Sequence, residues 1–177
     1  LDTESVLSER EDLLPFFQNH HHLSVALGLF HPESNAPDEI AFEYDFLGTY
    51  KADLVVGDSD ASAYTLVELE NAGPDSIFED RGRVTSHWSR RFSEGFHQLV
   101  DWLYELDQRA SDTALRQDFG HAEPDFFTIL VIGRSPALSE REWDRLRWYR
   151  SRVLVDSTHV FVRTYDELAS DLRRSMR

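Results

Sequence analysis

Asp53 interrupts an otherwise apolar run at 52–56, and Glu68 and Glu70 alternate with Val67 and Leu69. Both stretches read as strands, whose side chains alternate between faces. Lys51, Asp53 and Val55 are therefore expected on one face, and Leu66, Glu68 and Glu70 on one face of the next strand. The stretch 57–63 between them reads as a turn centred on Asp60. In a hairpin whose faces match, paired residue numbers should then sum to roughly 121. Asp53 comes to lie across from Glu68, and Lys51 across from Glu70. Facing carboxylates repel, and a hard divalent cation such as Mg²⁺ or Mn²⁺ would relieve that repulsion through one or two carboxylates and several waters. Such an ion polarises a phosphoryl oxygen and activates water. The spacing points to metal-assisted phosphodiester hydrolysis. The alternative is an exposed sheet face whose acids are simply solvated.

Other chemistry-bearing residues are weaker candidates. His20, His21 and His22 are consecutive, and on a helix they point in three directions, so they cannot converge on one ion. Asp58 and Asp60 suit turn chemistry better than a Ca²⁺ loop. Arg141, Arg145, Arg147, Arg150 and Arg152 form a stripe that could meet a DNA backbone. The interleaved Glu140, Glu142 and Asp144 favour a solvated, self-paired face instead.

The elements that must position the acids follow from periodicity. Residues 3–17 suggest a first helix with Thr3 or Ser5 as caps and a bend or restart at Pro15. A second short helix follows through "LSVALGLF". After a loop at 31–39, the stretches at 40–50 and 50–57 read as two strands or one bent strand broken at Gly48. Residues 64–72 form the next strand. The clearest helix spans 85–109, with Trp88, Phe92, Phe96, Leu99, Leu103 and Leu106 on one face. Arg91 and Gln98 flank that face at roughly 60° and 80° from Trp88, and Gly95 on it permits close helix–sheet approach. "DFFTILVIG" reads as a covered central strand. A helix opened by Ser139 and Glu142 has capping-box spacing. A strand "THVFVRT" and a closing helix "YDELASDLRRSM" complete an α/β chain with a mixed sheet flanked by helices.

The 177 residues suit a single domain, 1–177, with an N-terminal helical part at 1–30 and a sheet core with covering helices at 40–177. With Leu1 first, the chain is expected to be one domain of a longer protein. No apolar run is long enough to span a bilayer, and no cysteine is present. A soluble, cytoplasmic location is the expectation. The net charge is −15, and residues 1–80 hold 18 acidic residues against Arg10 and Lys51. An overall basic surface of the nucleic-acid-binding kind is therefore absent. Lys51 is the only lysine among 18 basic residues. In the expected register it faces Glu70, either as a simple ion pair or as a charge that orients water or phosphate. Arg91 is a candidate phosphate contact, with Glu94 or Glu105 as the alternative partner.

Asp, a loop, then Glu-x-Glu at the end of the next strand and before a helix resembles the PD-(D/E)XK nuclease superfamily. The ordered set "ADLVV", "YTLVELENA", "GFHQLVDW", "FTILVIGR" and "VFVRTYDEL" is similar to the C-terminal domain of Shedu anti-phage proteins (DUF4263). The similarity runs from about residue 5 to the C-terminus. It implies a restriction-endonuclease-like fold that nicks or cuts DNA, most naturally double-stranded, with Mg²⁺ or Mn²⁺. Asp53 and Glu68 would match the metal ligands, and Gln98 the auxiliary glutamine on the helix behind the site. Glu9 on the first helix would complete the site, with Glu11 as second choice. Glu70 departs from the pattern, standing where most members carry lysine. Lys51 would then supply the missing positive charge. The resemblance also implies a sensing or regulatory domain elsewhere in the full-length protein and assembly into homo-oligomers. Two other readings stay open: an inactive nuclease-like module for protein binding or assembly, and an RNase.

Overall fold

The computed structural model describes residues 6–79, 85–109, 112–120, 124–155 and 158–175. The suggested caps Thr3 and Ser5 lie outside the described residues. A π-helical turn, Glu9–Leu13, runs into α1 (Leu14–Asn19), with Pro15 in its first turn, where a missing N–H costs nothing. After α2 (His21–Val25) and a 3₁₀ turn (Ala26–Phe30), the chain forms β1 (Glu39–Phe46), β2 (Tyr50–Asp58) and β3 (Ala63–Leu69). Two short strands, β4 (Phe78–Glu79) and β5 (His87–Trp88), pair with each other. They precede α3 (Arg90–Gln108) and α4 (Thr113–Phe119). Then follow β6 (Asp125–Val131), α5 (Glu140–Arg152), the paired two-residue strands β7 (Leu154–Val155) and β8 (Thr158–His159), β9 (Phe161–Arg163) and α6 (Tyr165–Ser175).

The main sheet has the order β1-β2-β3-β6-β9. β1, β2 and β3 are antiparallel neighbours, whereas β3–β6 and β6–β9 are parallel. Parallel neighbours need crossovers, and α3 with α4, then α5, supply them. These helices cover one face through Phe92, Leu99, Trp102, Leu115 and Leu146, packed on Leu66 and Leu130. The N-terminal helices and α6 cover the other through Leu13, Phe17 and Leu168, packed on Val67 and Ile129. β3 is buried along its whole length, as a central strand with both faces covered must be. The fold is the expected mixed α/β sheet flanked by helices, consistent with a restriction-endonuclease-like core. No described helix is long and apolar enough to cross a membrane.

Several expectations change in detail. The buried face of α3 contains Trp102, fully inaccessible, while Leu103 is only partly covered. Trp88 precedes the helix and stacks on Phe92 and Phe78 at 4.6 and 4.4 Å. The short helix α4 carried no strong periodicity in the sequence. Four of the five α5 arginines are committed to protein partners rather than free for a DNA backbone. Arg145 reaches Ser86, Arg147 reaches Asp144, Arg150 clasps Glu167 and Arg141 reaches Thr85.

Candidate active site

The β2/β3 register sums to 121, as in Leu54↔Val67 and Val55↔Leu66. The ladder stops at Leu54↔Val67, one step before Asp53 would meet Glu68. There the Asp53 side chain takes over: its Oδ2 accepts the Leu69 N–H at 2.8 Å. Glu70 N–H instead bonds Val131 of β6 at 2.8 Å. β3 thus stays paired on one side and is released by β2 on the other, and the acids sit at that opening.

β1 contributes to the opening. Phe42↔Leu54 and Tyr44↔Ala52 are paired, and Glu43, which would face Asp53 between them, has φ +48°. A non-glycine residue there is strained and marks a local break in the pleat, with the register unchanged on either side. The alternation slips accordingly. Ala52 and Val55 pack into the same cluster beneath α3, while Leu54 and Val56 face the other layer. With this slip the expected pairing of Lys51 with Glu70 is not formed. Lys51 pairs with Asp45 in the ladder, and its Nζ donates to Glu43 Oε1 at 3.0 Å.

The partner of Glu70 is Arg91, whose Nη1 donates to Glu70 Oε2 at 2.9 Å. The glutamates suggested as partners for Arg91 are taken by Arg90 and Arg109, which pair with Glu94 and Glu105. α3 is set in place by Ser89, whose Oγ accepts from Phe92 N–H and donates to the Ser76 carbonyl. A Cβ on Gly95 would lie 2.9 Å from Leu130 Cδ1 and 3.4 Å from Glu70 Cγ. The missing side chain therefore lets α3 rest directly on β6 and Glu70. One turn further, Gln98 lies close enough to the Glu68 carboxyl to favour its charged form. The N-terminal segment is tied to the end of β3 by Glu9 N–H to Asn71 Oδ1 at 2.9 Å and Ala72 N–H to the Leu7 carbonyl at 3.0 Å. This brings Glu9 within electrostatic range of Asp53, Glu68 and Glu70. Glu11, the second choice, is exposed.

Electrostatics separates the three strand acids. Burial pushes Glu68 up to about 9, reinforced by the charges of Asp53, Glu70 and Glu9. Burial also raises Asp53 to about 6, against the Leu69 N–H bond that favours its charge. Glu70 is raised by burial, while the Arg91 bond and charge pull it back. Glu68 Oε2 is buried and has no hydrogen-bond partner, an expensive state for a carboxylate oxygen. Among the described residues no three Asp, Glu or His side chains stand ready to hold a metal ion. A hard cation bound by two carboxylates and waters needs no third. The bare Glu68 oxygen and the Asp53 oxygen not engaged by Leu69 are suitable donors.

Sequence reasoning missed Tyr165. Its fully buried hydroxyl donates to the Glu70 carbonyl at 2.7 Å, and burial beside the acids raises it far above its ordinary range. The "IGR" and "TYDEL" segments explain each other. Arg134 forms a two-pronged bond to Asp166 at 3.0 Å for each prong, and Tyr165 N–H meets the Gly133 carbonyl. Asp58, weighed above as a Ca²⁺ ligand, accepts from Asn35, Ala36 and Ala61 N–H groups, which pull it down to about 2. It is a structural clasp.

The family profile of the Shedu protein SduA, C-terminal region, matches residues 7–169. The chain belongs to this family. Membership implies a part in anti-phage defence. No curated protein sequence matches the chain.

Proposed function

We propose that this Shedu domain is a metal-dependent endonuclease that nicks or cuts DNA, most naturally double-stranded, during phage defence. The observation that carries the reading is Glu68: a buried carboxyl with an unpartnered oxygen, beside Asp53 at the mouth of a split ladder. Such a group is costly unless it serves a ligand. Asp53 and Glu68 would hold Mg²⁺ or Mn²⁺. When bound, the ion would polarise the phosphoryl oxygen and stabilise charge on the leaving oxygen. Gln98 lies beside the Glu68 carboxyl and favours its charged form, and Glu9 adds negative charge that favours a cation. Glu70 is the candidate base. It takes the proton of the attacking water as that oxygen bonds to phosphorus and the bond to the departing sugar oxygen breaks. That oxygen then takes a proton from solvent. A base whose proton affinity is raised by burial suits this task near neutral pH.

The test is Mn²⁺- or Mg²⁺-dependent nicking of plasmid DNA. Asp53→Ala and Glu68→Ala should abolish it while remaining folded, and robust nicking by either variant would refute the assignment. A second reading, an inactive nuclease-like module that binds or assembles with protein, is favoured by Glu70 at the usual lysine position and by the net charge of −15. It requires that Mn²⁺ leave the melting temperature unchanged. Offering RNA beside DNA separates the RNase alternative.

A further inference from the structure

Glu70 and α3 meet more closely than the resemblance implies. Arg91 Nη1 holds Glu70 Oε2 at 2.9 Å. One turn along the same helix, a Cβ at Gly95 would lie 3.4 Å from Glu70 Cγ and 3.5 Å from Oε1. Residues 91 and 95 are neighbours on a helix face. The Glu70 side chain is therefore held at its end by a guanidinium and passed along its length by bare helix backbone. Gln98 continues the same stripe to Glu68.

Building on the endonuclease reading, we propose that Arg91 and Gly95 are positioning residues of the site. They fix the Glu70 carboxylate, and Arg91 provides from the helix the positive charge that Glu70 displaces from the strand. Lys51 does not stand in that place: its ammonium donates to Glu43. Arg91 and Glu70 differ in exposure, at 44% and 11% of their side chains. Removing the half-exposed arginine leaves a mostly buried carboxylate without its partner, and with the partner present the guanidinium decides where that carboxylate sits. A guanidinium is suited to this because its planar fork fixes direction as well as charge. Gly95 sets the distance: an added methyl would also meet Leu130 Cδ1 at 2.9 Å, so α3 or Glu70 must move.

The experiment uses wild type, Arg91→Met, Arg91→Lys, Gly95→Ala, Glu70→Gln and the Arg91→Met/Glu70→Gln double variant. At saturating Mn²⁺, Arg91→Met should lower the kcat for nicking by about tenfold or more, the scale of a displaced general base. KM for DNA should hold, and Arg91→Lys should recover part of the loss. A raised KM with unchanged kcat would make Arg91 a phosphate contact instead and overturn the proposal. Gly95→Ala should lower kcat in the same sense, and unchanged kcat there would remove Gly95 from the device. Melting temperatures in EDTA supply a readout free of metal and activity. Arg91→Met should lower the melting temperature more with Glu70 in place, where it strands a mostly buried carboxylate, than in the Glu70→Gln background, and equal shifts in the two backgrounds would overturn the Arg91–Glu70 link. If wild type neither nicks DNA nor gains melting temperature with Mn²⁺, the endonuclease reading fails. The double-variant comparison still decides whether Arg91 positions Glu70.

Discussion

Glu68→Gln should stabilise the metal-free protein, and increasingly so as pH rises. An acid whose folded pKa is raised binds more protons folded than unfolded between the two values. Stability therefore falls with rising pH across that window. For Glu68 the window runs from the ordinary 4.5 to about 9. At pH 7 the carboxyl has cost the fold about 3 kcal/mol relative to pH 4.5, at about 1.4 kcal/mol per pH unit. Glutamine keeps the shape of the protonated acid but never ionises. Its advantage should be under about 1 kcal/mol at pH 5 and grow by about 1.4 kcal/mol per unit to pH 8. For a chain of this size, about 3 kcal/mol corresponds to a rise of roughly 6–12 °C in melting temperature at pH 7. The assay is thermal or urea unfolding of both proteins in EDTA between pH 5 and 8. Comparing them removes the shared effect of net charge. With Mn²⁺ the order should reverse, because wild type gains a ligand that the variant holds poorly. A stability difference independent of pH would refute the account of Glu68 as a buried acid held neutral by its surroundings.

Lys51→Ala removes a half-exposed pair with Glu43 and should cost at most about 1 kcal/mol by urea unfolding, leaving nicking intact. Arg134→Met leaves Asp166 without its two-pronged partner and should destabilise by about 1–2 kcal/mol in the same assay, because the partly exposed Asp166 keeps its bond from Ser135 N–H. Tyr165→Phe takes the donor from the Glu70 carbonyl and should cost about 1–2 kcal/mol, with weaker Mn²⁺-linked stabilisation. Ser139→Ala removes the N-cap of α5 and should cost about 1 kcal/mol without touching activity.

The parts of the fold legible in the sequence are those set by local rules. The sum of 121 followed from alternation and a turn centre, and the capping box at Ser139 and Glu142 from residue spacing. Gly48 lies at positive φ where the β1–β2 connection turns. The placement of Glu9 came through the resemblance, and its tether is a bond to Asn71, 62 positions away. Lys51 was misread because alternation was carried through a break. That break depends on Glu43 at φ +48°, a conformation that a glutamate does not announce as a glycine would. The partner of Arg91 was equally hidden, since helix periodicity shows which residues flank a face but not which strand residue lies beneath. Trp102 was displaced by Leu103 in the expected face because both fit a three–four spacing.

A site that keeps Glu68, Asp53 and Glu70 together in the metal-free protein opposes folding, so the elements around it must be held by something else. The structure places those restraints beside the acids rather than among them. Tyr165 anchors the end of β3 to α6, Arg134 clasps Asp166, and Arg150 clasps Glu167 through two bonds of 2.8 Å. Gly133, at φ +67°, links Asn71 on one side to Tyr165 on the other. These contacts join the ends of β3 and β6 to α5 and α6 where the β2 ladder lets go. The opening can then carry unpaired carboxylates because only the β2 side is released, while the β6 side stays bonded through Glu70 N–H and Val131. Strain and desolvation concentrated at one split ladder, with rigid clasps next to it, is the arrangement expected where a ligand completes the structure. On this view the "IGR" and "TYDEL" segments serve the chemistry without contacting it. Their substitution should lower stability and metal affinity together, whereas Arg91 should separate the two.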